Sequence, residues 1–239
     1  MKSEPLFRDD AYHRVAPATV AGHDGDGVIL DATLFYPTGG GQPGDSGWLR
    51  WDGGEMEVAN TIKGEGEAVV LVPAEGNPRP ELGQPVEQEL NWDRRFEHMR
   101  VHTALHLLSV VIPLDVTGGQ IGAGKGRLDF NMPEAPQDKQ ALQDELQALI
   151  DRDLPVGETW ITDAELDANP GLVKTMSVKP PSGAGKVRLV RIGQGDDPVD
   201  LQPCGGTHVA RTGEIGRIRL GKIEKKGRQN RRVYLHLDD

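Results

Sequence analysis

The chain has 239 residues with 36% hydrophobic and 5% aromatic content, 31 glycines, 17 prolines and one cysteine. That length allows one large or two modest domains, its composition points to many turns and short strands, and a single cysteine excludes an internal disulfide. The net charge of −10 would oppose a polyanionic partner if it were evenly spread, but residues 1–185 hold 15 Lys/Arg against 30 Asp/Glu, whereas residues 186–232 hold 12 against 5.

Short segments with β-branched or alternating apolar residues occur at 19–21, 28–36, 55–62, 68–72 and 86–90. Glycine and proline clusters separate them, and the run from Gly22 to Gly27 fits a hairpin turn. With no good helix in this part, a small antiparallel β-barrel or sandwich is expected. Embedded in it is Phe35-Tyr36-Pro37-Thr38-Gly39-Gly40-Gly41-Gln42-Pro43-Gly44-Asp45-Ser46-Gly47. Three consecutive glycines let backbone amides approach a ligand closely, and they equally fit a tight structural turn. The missing Gly-Lys-Ser/Thr ending excludes a phosphate loop. Pro73, Pro78, Pro80 and Pro85 mark a linker, so the expected domains are 1–84 and 85–239.

Asn91 or Asp93 is placed to cap a helix that runs to about residue 112 and stops at Pro113. Phe96, Met99, Leu105, Leu108 and Val111 give it an apolar face. Extended segments follow at 115–121 and 126–131, then an amphipathic helix at 137–151 carrying Leu142, Leu146, Leu149 and Ile150. A strand is expected at 156–162, and Thr162 or Asp163 caps a short helix before Pro170. Pro180-Pro181-Ser182-Gly183 reads as a hinge or loop, and strands are expected at 187–192, 214–224 and 231–237. The fold class is α+β, a small N-terminal antiparallel β-barrel followed by helices packed on a mainly antiparallel sheet. No run of about 18 apolar residues is present, and Met1 to Pro5 carries no signal core. These features predict no membrane partner, and a thiolate ligand suits a reducing, cytoplasmic compartment.

The chemistry centres on His98-Met99-Arg100-Val101-His102-Thr103-Ala104-Leu105-His106-Leu107-Leu108. His102 and His106 are four apart, which on a helix stacks both imidazoles on one face. About a hundred residues later, Pro203-Cys204-Gly205-Gly206-Thr207-His208 sets the sole cysteine four before another histidine. Three imidazoles and a thiolate make a zinc shell, because zinc accepts nitrogen and sulfur without a demanding geometry. The sequence His-Thr-Ala-Leu-His lacks the glutamate of zinc-peptidase helices, which excludes that chemistry. Between the halves, Gln120 offers a neutral donor and acceptor suited to orienting a water or an ester carbonyl, or simply a polar place in a hairpin. From Arg217 to Arg232 there are eight Lys/Arg against Glu224 alone. Such a stretch is a polyanion footprint or a solvated edge strand guarded by lysines.

These motifs together resemble the editing domain of alanyl-tRNA synthetases. The resemblance rests on His-Thr-Ala-Leu-His, Gln120 eighteen residues after His102, Pro-Cys-Gly-Gly-Thr-His with Thr212-Gly213-Glu214-Ile215 beyond it, the basic end, and the glycine-rich run at 35–47. With no aminoacylation domain before it and no long helical domain after it, the chain is similar to the free-standing, medium-length alanyl-tRNA editing proteins. One departure is Gly122-Ala123-Gly124-Lys125-Gly126, where the family often has a lysine-glycine-serine run. The resemblance implies a zinc-dependent deacylase of mischarged tRNA(Ala), chiefly seryl-tRNA(Ala) and then glycyl-tRNA(Ala), with no DNA partner. It implies zinc on His102, His106, Cys204 and His208, and catalytic roles for Gln120, Thr103 and Thr207. It also implies substrate or tRNA contacts from Thr33, Gly39, Gly40, Gly41, Gln42, Lys225, Lys226, Arg231 and Arg232. A metal-dependent hydrolase of a small ester or amide, and a non-enzymatic zinc-containing tRNA-binding module, remain as alternatives.

Overall fold

The computed structural model describes residues 1–175, 185–195 and 198–238. They form two compact units, Met1–Glu97 and His98–Asp239. The expected hinge at Pro180-Pro181-Ser182-Gly183 lies outside the described residues. Among the described residues, no helix is long and apolar enough to cross a membrane.

The first unit contains β1 (Glu4–Pro5), α1 (Leu6–Asp9), β2 (Val15–Asp24), β3 (Gly27–Leu30), β4 (Ala32–Thr33), β5 (Gly47–Trp51), β6 (Gly54–Lys63), β7 (Val69–Pro73) and β8 (Pro85–Leu90). Six of these strands close an antiparallel barrel in the order β2-β3-β7-β6-β5-β8, with β8 pairing back to β2. Closure removes the exposed edges that an open sheet of this size would present. Alternation fills the interior: in β8, Val86, Gln88 and Leu90 are buried while Pro85 and Glu87 are exposed. Leu30, Leu34, Phe35, Leu49, Met56 and Leu71 are wholly buried in the core, each contributing roughly 1.5–3 kcal/mol.

Several expectations change in detail. The hairpin turn is the two residues Gly25-Asp26, between paired Asp24 and Gly27. The segment expected as one strand at 28–36 leaves the barrel after Leu30, because Ala32 and Thr33 pair with β1. Strand β5 and the four-residue α1 were not expected. Residues beyond the expected boundary at 84/85 belong to the barrel, since β8 closes it, and the compact units divide at Glu97/His98 instead.

Helix α2 (Trp92–Val111) starts in the first unit and runs into the second. Asn91 caps it, its side-chain carbonyl accepting from Arg94 N–H at 3.3 Å. Where a single apolar stripe was expected, residues 101–109 are all buried, so this helix is the core element of the second unit. Strands β9 (Val116–Gly122), β10 (Lys125–Asn131), β14 (Ile218–Lys225) and β15 (Asn230–Leu237) form an antiparallel sheet in the order β14-β15-β10-β9. It lies close to α2 at Gly126, where a Cβ would stand 2.6 Å from Val101 Cγ1. Helix α3 (Lys139–Asp151) is capped by Asp138, and α4 (Asp163–Ala168) by the Thr162–Glu165 capping box. A second antiparallel sheet joins β11 (Val156–Ile161), β12 (Val187–Ile192) and β13 (Asp200–Pro203). The expected strand at 214–224 begins only at Ile218, because Thr212–Ile215 forms a 3-10 turn. The α+β class with an N-terminal antiparallel barrel stands.

Candidate metal centre

The helical spacing brings the rings of His102 and His106 to 5.2 Å between centroids. The loop after β13 delivers Cys204 and His208 to the same place: Cys204 Sγ lies 3.5 Å from His102 Nε2 and 3.3 Å from His208 Nε2. The ligand atoms of His102, His106, Cys204 and His208 all lie within 4.8 Å of one another. A tetrahedron with Zn–N and Zn–S bonds near 2.0 and 2.3 Å has edges of about 3.3–3.6 Å, so this donor set fits zinc. His98 is buried but stands outside the cluster.

Neighbouring groups choose which ring nitrogen faces the cluster. Thr103 donates its hydroxyl proton to Met99 O (2.9 Å), so its oxygen accepts from His208 Nδ1 at 3.1 Å and from Val209 N–H at 3.3 Å. Thr103 is wholly buried and supports His208 from behind. His106 Nδ1 meets the buried Asp200 carboxylate at 2.9 Å, and Asp200 also takes Lys174 Nζ at 2.6 Å and Gln202 Nε2 at 2.8 Å. Arg188 on β12 clamps the ligand loop by donating to Cys204 O (2.8 Å) and Gly206 O (3.1 Å), and its guanidinium is paired with Glu158. Gly206 N–H reaches Cys204 Sγ at 3.4 Å.

Charge follows the same contacts. Burial opposes ionisation of Cys204, yet the adjoining imidazoles hold its thiol well below the ordinary value. Burial and the charge of His102 push His208 down to about 3. Burial also works against the charged form of His106, but Asp200 and Cys204 outweigh it and push it up to about 9. For Asp200, burial is overcome by His106, Lys174 and Gln202, which hold it near 2. The thiolate of Cys204 and the neutral imidazole of His208 are what a cation needs, while His106 must release a proton to bind one.

The other expected site residues fall into separate groups. Thr207 is buried between Gly206 and His208. Gln120 is exposed on β9 and accepts from Arg127 Nε at 3.2 Å. It pairs with Arg127 on β10, whereas Gly126 faces α2, so Gln120 stands on the sheet face turned away from α2. Lys225 and Lys226 are exposed near the β14–β15 turn, with Lys226 bonded to Glu224 at 2.9 Å. Arg231 is buried and donates to Pro133 O at 2.6 Å, and Arg232 makes two bonds to Asp129 at 2.8 and 2.9 Å. Local charge density thus overstated the free cations, because two of the four hold the fold.

On the barrel, Thr33 is wholly buried and its oxygen accepts from Phe35 N–H at 3.1 Å. Gly39 and Gln42 exchange backbone bonds of 3.0 and 2.9 Å around Gly40 and Gly41, whose φ values are 59° and 83°. This is a two-residue turn that requires positive φ at both central positions, and its tip is exposed while Gln42 is buried. The run is held by Asp45, which accepts from Tyr36 N–H at 2.6 Å and is paired with the buried Arg95. Asp200, Lys174, Gln202 and Arg188 escaped sequence reasoning. The available signal was a carboxylate four before Cys204, repeating the ligand spacing.

Residues 187–234 match the family described as "Threonyl and Alanyl tRNA synthetase second additional domain", and residues 11–94 match "tRNA synthetases class II (A)". The alanyl-tRNA editing protein AlaX-M of Methanosarcina acetivorans is 36% identical over 248 residues, covering 99% of this chain and 100% of that protein. AlaX-M of Methanosarcina mazei is 33% identical, covering 99% and 97%. The alanine-tRNA ligase of Pyrobaculum calidifontis is 38% identical over 94% of this chain but only 25% of the ligase. Similarity that runs the length of both partners, through barrel and metal centre alike, shows that the chain belongs to the alanyl-tRNA editing protein family.

Proposed function

We propose that this protein hydrolyses the ester of mischarged tRNA(Ala), with seryl-tRNA(Ala) the leading substrate and glycyl-tRNA(Ala) the second. The observation that carries this reading is the close assembly of three imidazoles and a thiolate in a chain of the alanyl-tRNA editing family. His102, His106, Cys204 and His208 would hold zinc, which supplies a Lewis-acid charge for a water or for the amino acid's polar groups. The chain's own residues do the rest. Cys204 is half-buried and Gly205 exposed, which leaves that side of the cluster open to an aminoacyl ester. The backbone amide of the exposed Gly205 is the candidate donor to a developing oxyanion.

Serine exceeds alanine by one hydroxyl, so a polar group must reward it. Thr103 is committed to His208, and Thr33 to Phe35 N–H. Thr207 adjoins His208 in the ligand loop and is the candidate for the hydroxyl, while Gln120, exposed beside Arg127, is the candidate for a contact with the RNA part of the substrate. Lys225, Lys226 and Arg228 are exposed around one turn and suit acceptor-stem phosphates. The exposed Gly39–Gly41 turn is the barrel's candidate tRNA contact. Such a substrate places the protein in the cytoplasm.

Incubation with seryl-, glycyl- and alanyl-tRNA(Ala) tests the reading. Release of serine at least tenfold faster than alanine is expected. Tight binding without release would make the protein a tRNA-binding module, and equal cleavage of a minimal seryl ester would make it a general esterase.

A further inference from the structure

We propose that Asp200 is a positioning residue for the metal centre: its carboxylate fixes His106 with the proton on Nδ1 and the free electron pair on Nε2, and so sets how tightly zinc is held. The inference rests on the zinc reading above. It starts from the geometry of a carboxylate whose side chain is 0% exposed. Asp200 Oδ2 lies 2.9 Å from His106 Nδ1, and an ionised carboxylate can only accept, so the shared proton belongs to the ring nitrogen. The remaining nitrogen, Nε2, is then the donor for the cluster of His102, Cys204 and His208.

The other contacts of Asp200 serve the same end. Lys174 Nζ, on a side chain 28% exposed, reaches Oδ1 at 2.6 Å and offsets the buried charge. Gln202 Nε2 donates to Oδ2 at 2.8 Å and to Ser109 Oγ at 3.3 Å, and Ser109 Oγ donates to His106 O at 2.7 Å. Both the ring and the backbone of His106 are therefore tied to one polar network reaching back to β13. His208 is supported differently, by the neutral hydroxyl of Thr103. A charged acceptor raises the basicity of the ring it holds more than a neutral one does. His106 is thus held by a stronger acceptor than His208 is.

The test measures zinc affinity by competition with a chromophoric chelator, with the cobalt(II) absorption spectrum as a second readout. Wild-type protein that takes up no zinc would refute the metal reading, and this inference with it. If wild type holds one zinc, Asp200→Asn should weaken it by about 10–100-fold and shift the cobalt spectrum. Unchanged zinc affinity in Asp200→Asn would overturn the inference alone and leave Asp200 a mere anchor between β13 and α2. Lys174→Met decides the matter if Asp200→Asn fails to fold. It leaves the carboxylate to His106 and Gln202, so zinc should be held at least as tightly as in wild type. A loss as large as that expected for Asp200→Asn would overturn the inference.

Discussion

Arg95→Met is the most informative perturbation of the barrel. Arg95 and Asp45 have side chains 0% and 1% exposed. Beyond its bonds to Asp45, the guanidinium donates to Ala11 O at 2.9 Å and Leu34 O at 2.6 Å. The substitution strands a buried carboxylate and leaves two carbonyls without these donors. Breaking a buried pair by removing one partner costs about 3–5 kcal/mol, and the orphaned carbonyls keep the loss at the upper end of that range. Asp45 also accepts from Tyr36 N–H, so Asp45→Asn retains an acceptor while removing the charge. The double variant Arg95→Met/Asp45→Asn should therefore recover about half the loss. Urea unfolding followed by tryptophan fluorescence reports on the barrel through Trp48 and Trp51 in β5. Amide exchange at Gly39 and Gln42, which bond each other across the turn, should accelerate in Arg95→Met, because Asp45 anchors their run. A cost below about 1 kcal/mol for Arg95→Met would refute the reasoning, since that is the worth of a solvent-exposed pair.

Metal analysis should find one zinc per chain, lost in Cys204→Ala and retained in His98→Ala; full retention in Cys204→Ala would remove Cys204 from the ligand set. Neutralising Lys225, Lys226 and Arg228 together should weaken tRNA binding and lower its salt slope by about 2–3, whereas Arg232→Gln should chiefly lower stability by leaving Asp129 with Arg127 alone. The chelated protein should lose stability as pH falls from about 6.5 toward 3. His208, depressed to about 3, contributes stability above 6.5 that is lost as the unfolded chain gains its proton first, and the depressed Cys204 acts in the same sense. Between about 6.5 and 9, His106, raised to about 9, loses its contribution as pH rises while Cys204 gains, so melting temperatures there should be nearly flat; a steep fall in that interval would refute the assignment.

The cluster of His102, His106, Cys204 and His208 was legible in the sequence because two i, i+4 couples are local patterns that survive any tertiary arrangement. Helix α2 was legible too, through Asn91 before it and Pro113 after it, although its burial on all sides was not. That depends on what surrounds it, as the contact of Gly126 with Val101 illustrates. Gln120 shows the limit most clearly. Its distance from His102 along the chain suggested a return to the helix, but in a strand each step reverses the face, and only the pairing with Arg127 settles which one Gln120 occupies. Asp200 was missed because it acts on a residue that sequence places far away: His106 is 94 positions from Asp200. Charge counting misread Arg231 and Arg232 for a related reason, since their partners Pro133 and Asp129 lie about a hundred residues upstream.

The wide separation of the two histidine and cysteine couples bears on what a metal held there would be for. Closing a loop of about a hundred residues costs the unfolded chain roughly 4 kcal/mol of entropy, so an ion joining His106 to Cys204 could in principle stabilise the fold by that route. In a small zinc finger, metal binding and folding are one process, because little else joins the ligands. Here the joining is done by the protein. Asp200 bonds His106 to β13, Thr103 bonds α2 to His208 and Val209, and Arg188 holds the loop carbonyls of Cys204 and Gly206. These bonds define the site through side chains other than the ligand atoms themselves. The elements that carry the ligands thus need no ion to bring them together, and chelation should leave the second unit folded. A metal held at such a site would be reached from the partly open side, where Cys204 and Gly205 meet solvent, with the support on the other sides supplied by buried polar groups.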